Sequence, residues 1–181
     1  MIYTMDCEFW EHGHMSPLRL ISIGIVAEDG REYYAVNQDF PWTLLERTAP
    51  KHWIFENVKP KLYLPDQSEK KNLKTLAHIR QDLISFFSKD KQPEFWAYFA
   101  DYDWVIFCQI FGTMIDLPKG FPMMCMDIEQ KRKMLSLVKE IYPPKYEDIH
   151  NALSDAHWDM EALNKLLLIE SKIPYFLGAL R

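Results

Sequence analysis

Short apolar stretches predict strands in the first quarter of the chain. Residues 2–9, 18–27 and 32–37 are rich in aromatic and β-branched side chains, which are typical of strands. An Asp-Gly pair, Asp29-Gly30, separates the second stretch from the third and is a typical hairpin turn. Three antiparallel strands therefore open the predicted fold.

Helical spacing of apolar residues begins at residue 69. Apolar positions recur at intervals of three and four over residues 69–87, which predicts one amphipathic helix. Beyond it, strands and helices are predicted in turn over residues 93–100, 103–112, 121–127, 128–141 and 154–170. This alternation implies an α/β fold, in which a mixed sheet carries helices on both faces.

Residues 39–66 form a long connection with the weakest pattern in the chain. Prolines, tryptophans and short apolar groups are mixed there, which predicts one or two short helical turns. Trp42, Trp53 and Phe55 in this connection are expected to make core or dimer contacts. One wall of a substrate groove is the alternative.

Length and composition favour one domain of a cytoplasmic protein. The chain has 181 residues, of which 48% are hydrophobic, and this is enough for one well-buried core. Its three cysteines fit neither a disulfide framework nor a zinc site, which is typical of reduced thiols in the cytoplasm. We expect no export signal and no membrane contact, because no apolar run approaches the roughly 18 residues that a membrane span needs.

The net charge of −5 argues against a broad basic surface of the kind that binds duplex DNA. An acidic chain still binds nucleic acid where metal ions supply positive charge. Acidic residues that converge are therefore the candidates of most interest.

Asp6 and Glu8 lie two residues apart on the first predicted strand, so their side chains point to the same face. Two like charges about 4 Å apart repel by roughly 4 kcal/mol at an effective dielectric near 20, and a divalent cation would reverse that sign. A solvated strand face, on which the two charges never meet, is the alternative and is commoner for an isolated pair.

Further candidates stand at the beginnings of two predicted helices. Asp101 and Asp103 follow a strand, where helix capping is the alternative to a role in a site. Asp103 is the better candidate because a helical run follows it directly. Asp155 and Asp159 lie one turn apart on the last helix, so either could point inward. His150 precedes that helix in a loop and is suited to proton transfer near neutral pH.

These residues match the chemistry of two-metal phosphoryl transfer. Carboxylate oxygens are hard ligands, and two divalent ions about 3.5 to 4 Å apart activate water on one side of a phosphodiester and stabilise the leaving oxygen on the other. The set consists of Asp6, Glu8, Asp103, Asp155 and His150.

The order of the set resembles the DEDDh 3′-5′ exonucleases of the RNase H-like superfamily, which includes RNase T and the proofreading exonucleases. "MDCEF" is similar to the first motif, D-x-E, "YFADYDWVIF" to the second, and "HNALSDA" to the third, H-x-A-x-x-D. The resemblance is closest to the compact bacterial and phage 3′-5′ exoribonucleases. Two departures are "FWEHGH" after the first motif, where many relatives have Thr and a Gly-Leu pair, and Phe99, where many have Asn.

The resemblance implies an RNase H-like fold with a five-stranded mixed sheet, and release of 5′-mononucleotides from the 3′ end of single-stranded RNA or DNA. It implies two divalent ions, Mg²⁺ or Mn²⁺, held by Asp6, Glu8, Asp103 and Asp155. Glu8 and His150 would be catalytic, with His150 as the general base that takes a proton from the attacking water. A homodimer is also compatible with the resemblance.

Residues that follow the first motif are candidate substrate contacts. Phe9, Trp10, His14 and Met15 are close to the proposed metal ligands, and aromatic faces stack on unpaired bases at roughly 1 to 3 kcal/mol per base. A core position is an equal alternative for Trp10. The basic residues at 131–133 are expected to be a solvated helix face and not a phosphate track.

Two other functions stay open at this point. One is a proofreading-type subunit that works only beside a polymerase, and the other is an inactive RNase H-like module that binds nucleic acid. The complete set of acids and the histidine argue against an inactive module. A thiol enzyme built on Cys7 is disfavoured because no histidine motif lies near it.

Overall fold

A computed structural model describes residues 1–13 and 18–173 of the chain. Six strands form one sheet in the order β4-β3-β2-β1-β5-β6. The strands are β1 (Ile2–Trp10), β2 (Arg19–Ala27), β3 (Glu32–Asn37), β4 (Leu73–Lys74), β5 (Glu94–Ala97) and β6 (Met126–Asp127). β1, β2 and β3 pair in antiparallel fashion, whereas β4, β5 and β6 join the sheet in parallel. The sheet is therefore mixed, as the sequence predicts for an α/β fold of the RNase H-like kind.

Helices cover both faces of the sheet. They are α1 (Trp42–Thr48), α2 (Ile54–Asn57), α3 (Glu69–Asn72), α4 (Leu76–Phe86), α5 (Asp101–Phe111), α6 (Ile128–Met134) and α7 (Ala152–Glu170). α4 and α5 pack on the face that carries Tyr3 and Met5 of β1. α7 lies on the opposite face, where the Thr4 hydroxyl donates a hydrogen bond to the Ala156 carbonyl oxygen at 2.8 Å. Within the described ranges, no helix combines the length and the apolarity that a bilayer crossing requires.

The first three strands and the last helix confirm the prediction, but the region after the long connection differs from it. The single helix predicted over residues 69–87 is divided into α3 and α4 by the two residues of β4, which pair with the end of β3. Thr75 begins the second helix by accepting a hydrogen bond from the His78 N–H. The sheet therefore has six strands and not five.

Other predicted elements are also shorter in the structure: the strand predicted over residues 93–100 is limited to β5, Glu94–Ala97. The strand predicted over residues 121–127 is reduced to the two residues of β6. The helix predicted over residues 128–141 ends at Met134, because Ser136 adopts a left-handed φ of 55° that no α-helix continues through. A 3₁₀ turn at Lys139–Ile141 follows as a separate element.

Gly24 allows the beginning of α7 to touch the sheet. It lies on β2 opposite Asp6 of β1. A Cβ atom built on Gly24 would lie 2.3 Å from backbone atoms of Ala152 and Leu153, which is far inside van der Waals contact. Backbone therefore packs directly on backbone at this position, and α7 starts at the level of the Asp6 carboxylate.

We expect Gly24→Ala to lower the free energy of unfolding by about 3 kcal/mol, near the upper end for an overpacked core, because the added methyl group meets backbone that cannot rotate away. Urea unfolding followed by far-ultraviolet circular dichroism measures the change. Gly30→Ala is the control: its Cβ meets nothing within 4 Å, and its φ of 86° accounts for a loss of only about 1 kcal/mol. Equal losses in the two variants would contradict the proposed contact.

Candidate active site

Asp103 is held against β1 where the neighbouring strand has ended. The last pair between β1 and β5 is Thr4 with Trp96, so the N–H group of Cys7 lies beyond the ladder. Asp103 Oδ1 accepts a hydrogen bond from this N–H at 2.7 Å. Asp103 is buried in the first turn of α5, whereas Asp101 at the start of that helix is exposed. The structure therefore brings Asp103, and not Asp101, to the first-motif strand.

Asp6 and Glu8 point from β1 towards α7. The Oδ2 atom of Asp6 is buried and has no hydrogen-bond partner among the described residues. Burial raises the pKa of Asp6 well above its usual value, and the negative charges of Asp103, Glu8 and Asp155 raise it further. Burial also raises the pKa of Glu8, although contacts with His150 oppose the shift. The two carboxyl groups that the sequence places on one strand face thus lie side by side, with Glu8 buried and Asp6 partly buried.

His150 and Asp155 are joined at the beginning of α7. Asn151 caps the helix by accepting a hydrogen bond from the Ser154 N–H at 3.2 Å. The backbone N–H of His150 donates to Asp155 Oδ2 at 2.7 Å. His150 Nδ1 lies 3.7 Å from Glu8 Oε1, so the loop histidine faces the first strand.

Glu8, His150 and Asp155 form a group with the geometry of metal ligands. One potential ligand atom from each residue lies within 4.8 Å of those of the other two. The sequence predicts a proton-transfer role for His150. In the structure, a nitrogen of its ring also lies beside the carboxylates of Glu8 and Asp155. Asp6 and Asp103 do not belong to this group of three, although the negative charges of Glu8 and Asp155 help to raise the pKa of Asp6.

Asp159 is a further buried carboxyl group beside the site. It lies one turn after Asp155, is 2% exposed, and accepts a hydrogen bond from the Tyr98 N–H at 3.0 Å through Oδ2. Burial raises its pKa well above the usual value. The one-turn spacing indicates that either Asp155 or Asp159 could point inward, and in the structure both do. Asp159 fixes the backbone just after β5.

The pKa of Asp103 is raised to about 7, and burial is the main cause. A site that buries so many carboxyl groups fits divalent cations, because their oxygens are hard ligands and their mutual repulsion is relieved by positive charge. The buried oxygen of Asp6 that lacks a partner supports the same fit.

Two lysines that no sequence pattern indicates lie at the rim of the acidic cluster. This cluster consists of Asp6, Glu8, Asp103, Asp155 and Asp159. Lys145 Nζ is 3.5 Å from Asp155 Oδ1 and 3.5 Å from the centre of the Trp158 ring. Lys61 Nζ donates a hydrogen bond to the Ile149 carbonyl oxygen at 2.7 Å. Neither lysine has a sequence spacing that links it to the acids, because each comes from an irregular segment.

The aromatic residues of the long connection divide into two groups. Trp42 and Phe55 pack against the core cluster around Phe40, as predicted. Trp53 is 51% exposed, and its ring meets the His150 ring at a centroid distance of 4.7 Å and an angle of 85°. Trp53 is therefore not a core residue, because its indole is only half covered and lies beside His150, whereas the predicted dimer contact stays a prediction.

The candidate substrate residues do not all lie at the surface. Trp10 is 2% exposed and packs beside Phe40, so its ring is not available for stacking on a base, and the core alternative is correct. Phe9 is partly buried, with its ring 5.5 Å from that of Tyr102, which is 49% exposed. His14 and Met15 lie outside the described residues.

The basic residues at 131–133 are not one solvated face. Arg132 is buried and donates two hydrogen bonds to Glu129, at 2.9 and 2.7 Å. Lys131 pairs with Glu170 at 2.8 Å, and only Lys133 is well exposed. The charge run does not form one exposed face because its central residue, Arg132, pairs with the buried Glu129 one turn earlier.

Phe99 departs from the resemblance in a way that the backbone explains. Its φ is 60°, in the left-handed region where Asn is favoured over other residues with side chains. The Asn that many DEDDh relatives have at this position suits that conformation better. Phe99 is 55% exposed, and its ring packs on that of Tyr98 at a centroid distance of 4.5 Å.

Comparisons with known proteins agree with this geometry. Residues 1–167 match the model of a family described as the 3′-5′ exoribonuclease Rv2179c-like domain. Two proteins of Mycobacterium tuberculosis, 3′-5′ exoribonuclease Rv2179c of strain H37Rv and 3′-5′ exoribonuclease MT2234.1 of strain CDC 1551, are each 37% identical over 183 residues. The alignments cover 100% of this chain and 100% of each relative. The chain therefore belongs to the family of Rv2179c-like 3′-5′ exoribonuclease domains, which are phosphodiester hydrolases.

Proposed function

We propose that the chain is a metal-dependent 3′-5′ exoribonuclease that degrades single-stranded RNA, and DNA as a poorer substrate, to 5′-mononucleotides. One observation carries the proposal: Glu8 of the first strand meets His150 and Asp155 at the start of α7, and Asp103 is bonded to the same strand between Asp6 and Glu8. Family membership supports the activity class, and the cluster supports the chemistry.

The acidic residues are proposed to bind two divalent cations, Mg²⁺ or Mn²⁺. Asp6, Glu8 and Asp155 would hold one ion, and Asp6 and Asp103 would hold the other. The buried Oδ2 atom of Asp6 without a partner and the raised pKa values of Asp6 and Asp103 support this assignment. When bound, such ions activate water and stabilise the leaving oxygen of a phosphodiester.

His150 is proposed to be the general base. Its backbone is fixed by the hydrogen bond to Asp155, and its ring lies beside Glu8. The side chain is 33% exposed, so water reaches the ring. A base in this position would accept the proton of the attacking water, with the Glu8 carboxylate 3.7 Å from Nδ1.

Partners and location are proposed on the same basis. The half-exposed ring of Tyr102, next to Asp103 in the chain, offers a face on which an unpaired base can stack, which favours a single strand. The three cysteines are free thiols, in keeping with the cytoplasm. A homodimer is the proposed assembly, because a second copy could complete a basic surface that the acidic chain does not offer by itself.

The purified chain is expected to shorten RNA labelled at its 5′ end, one nucleotide at a time from the 3′ end, in the presence of Mg²⁺ or Mn²⁺. Product ladders on a sequencing gel give the direction, and chromatography identifies 5′-mononucleotides. A matched DNA oligomer should be shortened more slowly. Products released from the 5′ end, or undiminished degradation in EDTA, would contradict the proposal.

Asp155→Asn and His150→Ala should separate metal binding from proton transfer. Asn at position 155 keeps an acceptor for the His150 N–H but loses the charge, so both Mn²⁺ affinity and nearly all turnover should be lost. His150→Ala should reduce kcat by about 10²- to 10⁴-fold and largely retain the rise in melting temperature caused by Mn²⁺. Full activity of His150→Ala across pH would show that another group is the base.

Metal-free protein should lose stability as pH rises from 5 to 8. The pKa of Asp103 is about 7 in the folded chain and 3.8 in its ordinary state, so folded protein binds more protons between these values. The contribution of Asp103 to the free energy of unfolding is therefore fully present below about pH 4 and is lost as pH rises through about 7. Divalent cations compete with these protons, and the increase in melting temperature caused by Mn²⁺ should therefore grow with pH. Differential scanning fluorimetry measures both effects, and a Mn²⁺ effect that is equal at pH 5.5 and pH 8 would contradict them.

A further inference from the structure

Residues 53–62 of the long connection, termed the brace, contact the loop that carries His150. The brace includes α2 and the 3₁₀ turn at Lys59–Lys61. Three contacts reach the loop: the Trp53 ring on the His150 ring, the Lys61 ammonium on the Ile149 carbonyl oxygen at 2.7 Å, and the Lys61 carbonyl oxygen, which accepts from Asn151 Nδ2 at 2.8 Å. All three contacts involve His150 or its immediate neighbours.

His150 adopts a backbone conformation that needs external support. Its φ of 72° lies in the left-handed region, which is strained for a residue with a side chain and persists where the surroundings impose it. The N–H of His150 is fixed by Asp155. On one side of His150, the Ile149 carbonyl oxygen accepts from the Lys61 ammonium group. On the other, the Asn151 side-chain amide donates to the Lys61 carbonyl oxygen and lies within hydrogen-bond distance of Tyr34 and Gln67 as well. The brace thus supplies part of the support that α7 does not.

The His150 ring is also held from two directions. Glu8 Oε1 lies 3.7 Å from Nδ1 on one side, and the Trp53 ring meets the imidazole edge-on, at 85°, on another. Trp53 is 51% exposed, which is unusual for an indole whose role is to fill a core. Its aromatic neighbour is the proposed general base.

We propose that Trp53 and Lys61 are positioning residues, which hold His150 in the orientation that proton transfer requires. The inference rests on the proposed function, in which His150 is the base. A displacement of about 1 Å in a catalytic group can reduce turnover by roughly 10²-fold. Loss of either contact therefore lowers kcat through His150, although neither residue touches the reacting atoms.

The brace is anchored independently of these two side chains. Ile54, Val58 and Leu62 are buried in the core cluster of α1 and β3. The Tyr34 hydroxyl donates a hydrogen bond to the Leu62 carbonyl oxygen at 2.7 Å. Removal of the Trp53 ring or the Lys61 ammonium group should therefore leave the brace folded.

The test compares Lys61→Met, Lys61→Arg, Trp53→Ala and Trp53→Phe in steady-state assays on RNA with Mg²⁺. Lys61→Met and Trp53→Ala should lower kcat by about 10- to 100-fold with unchanged KM. Lys61→Arg and Trp53→Phe keep a donor and a ring, respectively, and should recover most of the lost rate. Lys59→Met is the matched control, because Lys59 lies over the Trp42 ring at 5.0 Å and contacts nothing in the His150 loop, so its kcat should equal that of the wild type.

A double-mutant cycle identifies the route of the effect. In the His150→Ala background, Lys61→Met and Trp53→Ala should cause no further loss of kcat, because the residue through which they act is absent. An equal further loss in that background would overturn the inference while the proposed function stands. A raised KM with unchanged kcat would also overturn it, because that result indicates substrate binding.

Nuclear magnetic resonance provides a readout that does not need activity. The ring current of Trp53 should displace the carbon-bound proton resonances of His150, and this displacement should disappear in Trp53→Ala and be partly retained in Trp53→Phe. Lys61→Met should move the same resonances, whereas Lys59→Met should not. If the His150 resonances do not move in Trp53→Ala and Lys61→Met, the inference is overturned, even if the enzyme degrades RNA. If the resonances move but the wild type does not degrade RNA, the proposed function alone is overturned.

Discussion

The direct contact between α7 and the sheet at Gly24 is the constraint on which the site depends. Because Gly24 pairs with Asp6, the helix meets the sheet one strand away from the first carboxylate. Asp155 lies three residues after Ala152, the residue that touches Gly24, and Asp159 follows one turn later on the same side. A side chain at position 24 would separate these groups. The acidic cluster is thus a consequence of close backbone packing as much as of the acids themselves.

Three of the buried acids perform a second, structural task. Asp103, Asp155 and Asp159 accept hydrogen bonds from the backbone N–H groups of Cys7, His150 and Tyr98, respectively. Each of these N–H groups lies where regular structure stops: beyond the end of the β5 ladder, just before α7, or just after β5. An unpaired buried N–H is costly, so a carboxylate at each point stabilises the fold and is held in place by it.

Asp6 differs from these acids, because its Oδ2 atom has no partner among the described residues. No contact with the described residues therefore offsets the cost of burying this oxygen. Under the proposed function, a divalent cation offsets it.

Local periodicity explains which parts of the molecule could be predicted from sequence. The apolar patterns of β1 and α7 predict a strand and a long helix. The positions of Asp6, Glu8 and Asp155 on these elements could therefore be predicted as well. Two-residue β4 could not be predicted, because a pairing partner and not its own pattern makes it a strand. Lys61 and Lys145 could not be predicted as site residues, and Trp53 only as an alternative, since each reaches the site by a tertiary contact from an irregular segment. Trp10 shows the reverse case, in which proximity to a motif along the chain did not bring the ring to the surface.

The charges around the cluster show how an acidic protein can act on an anionic polymer. Lys61 and Lys145 lie at the rim, but the first is bonded to the Ile149 carbonyl oxygen and the second lies between Asp155 and the Trp158 ring. Both are engaged in holding the His150 loop and α7, so neither is a freely mobile phosphate ligand. With a net charge of −5, the chain has no large positive field to attract RNA from a distance. Attraction to the scissile phosphate must then arise locally, and this makes the bound cations of the proposed mechanism part of substrate recognition as well as of catalysis.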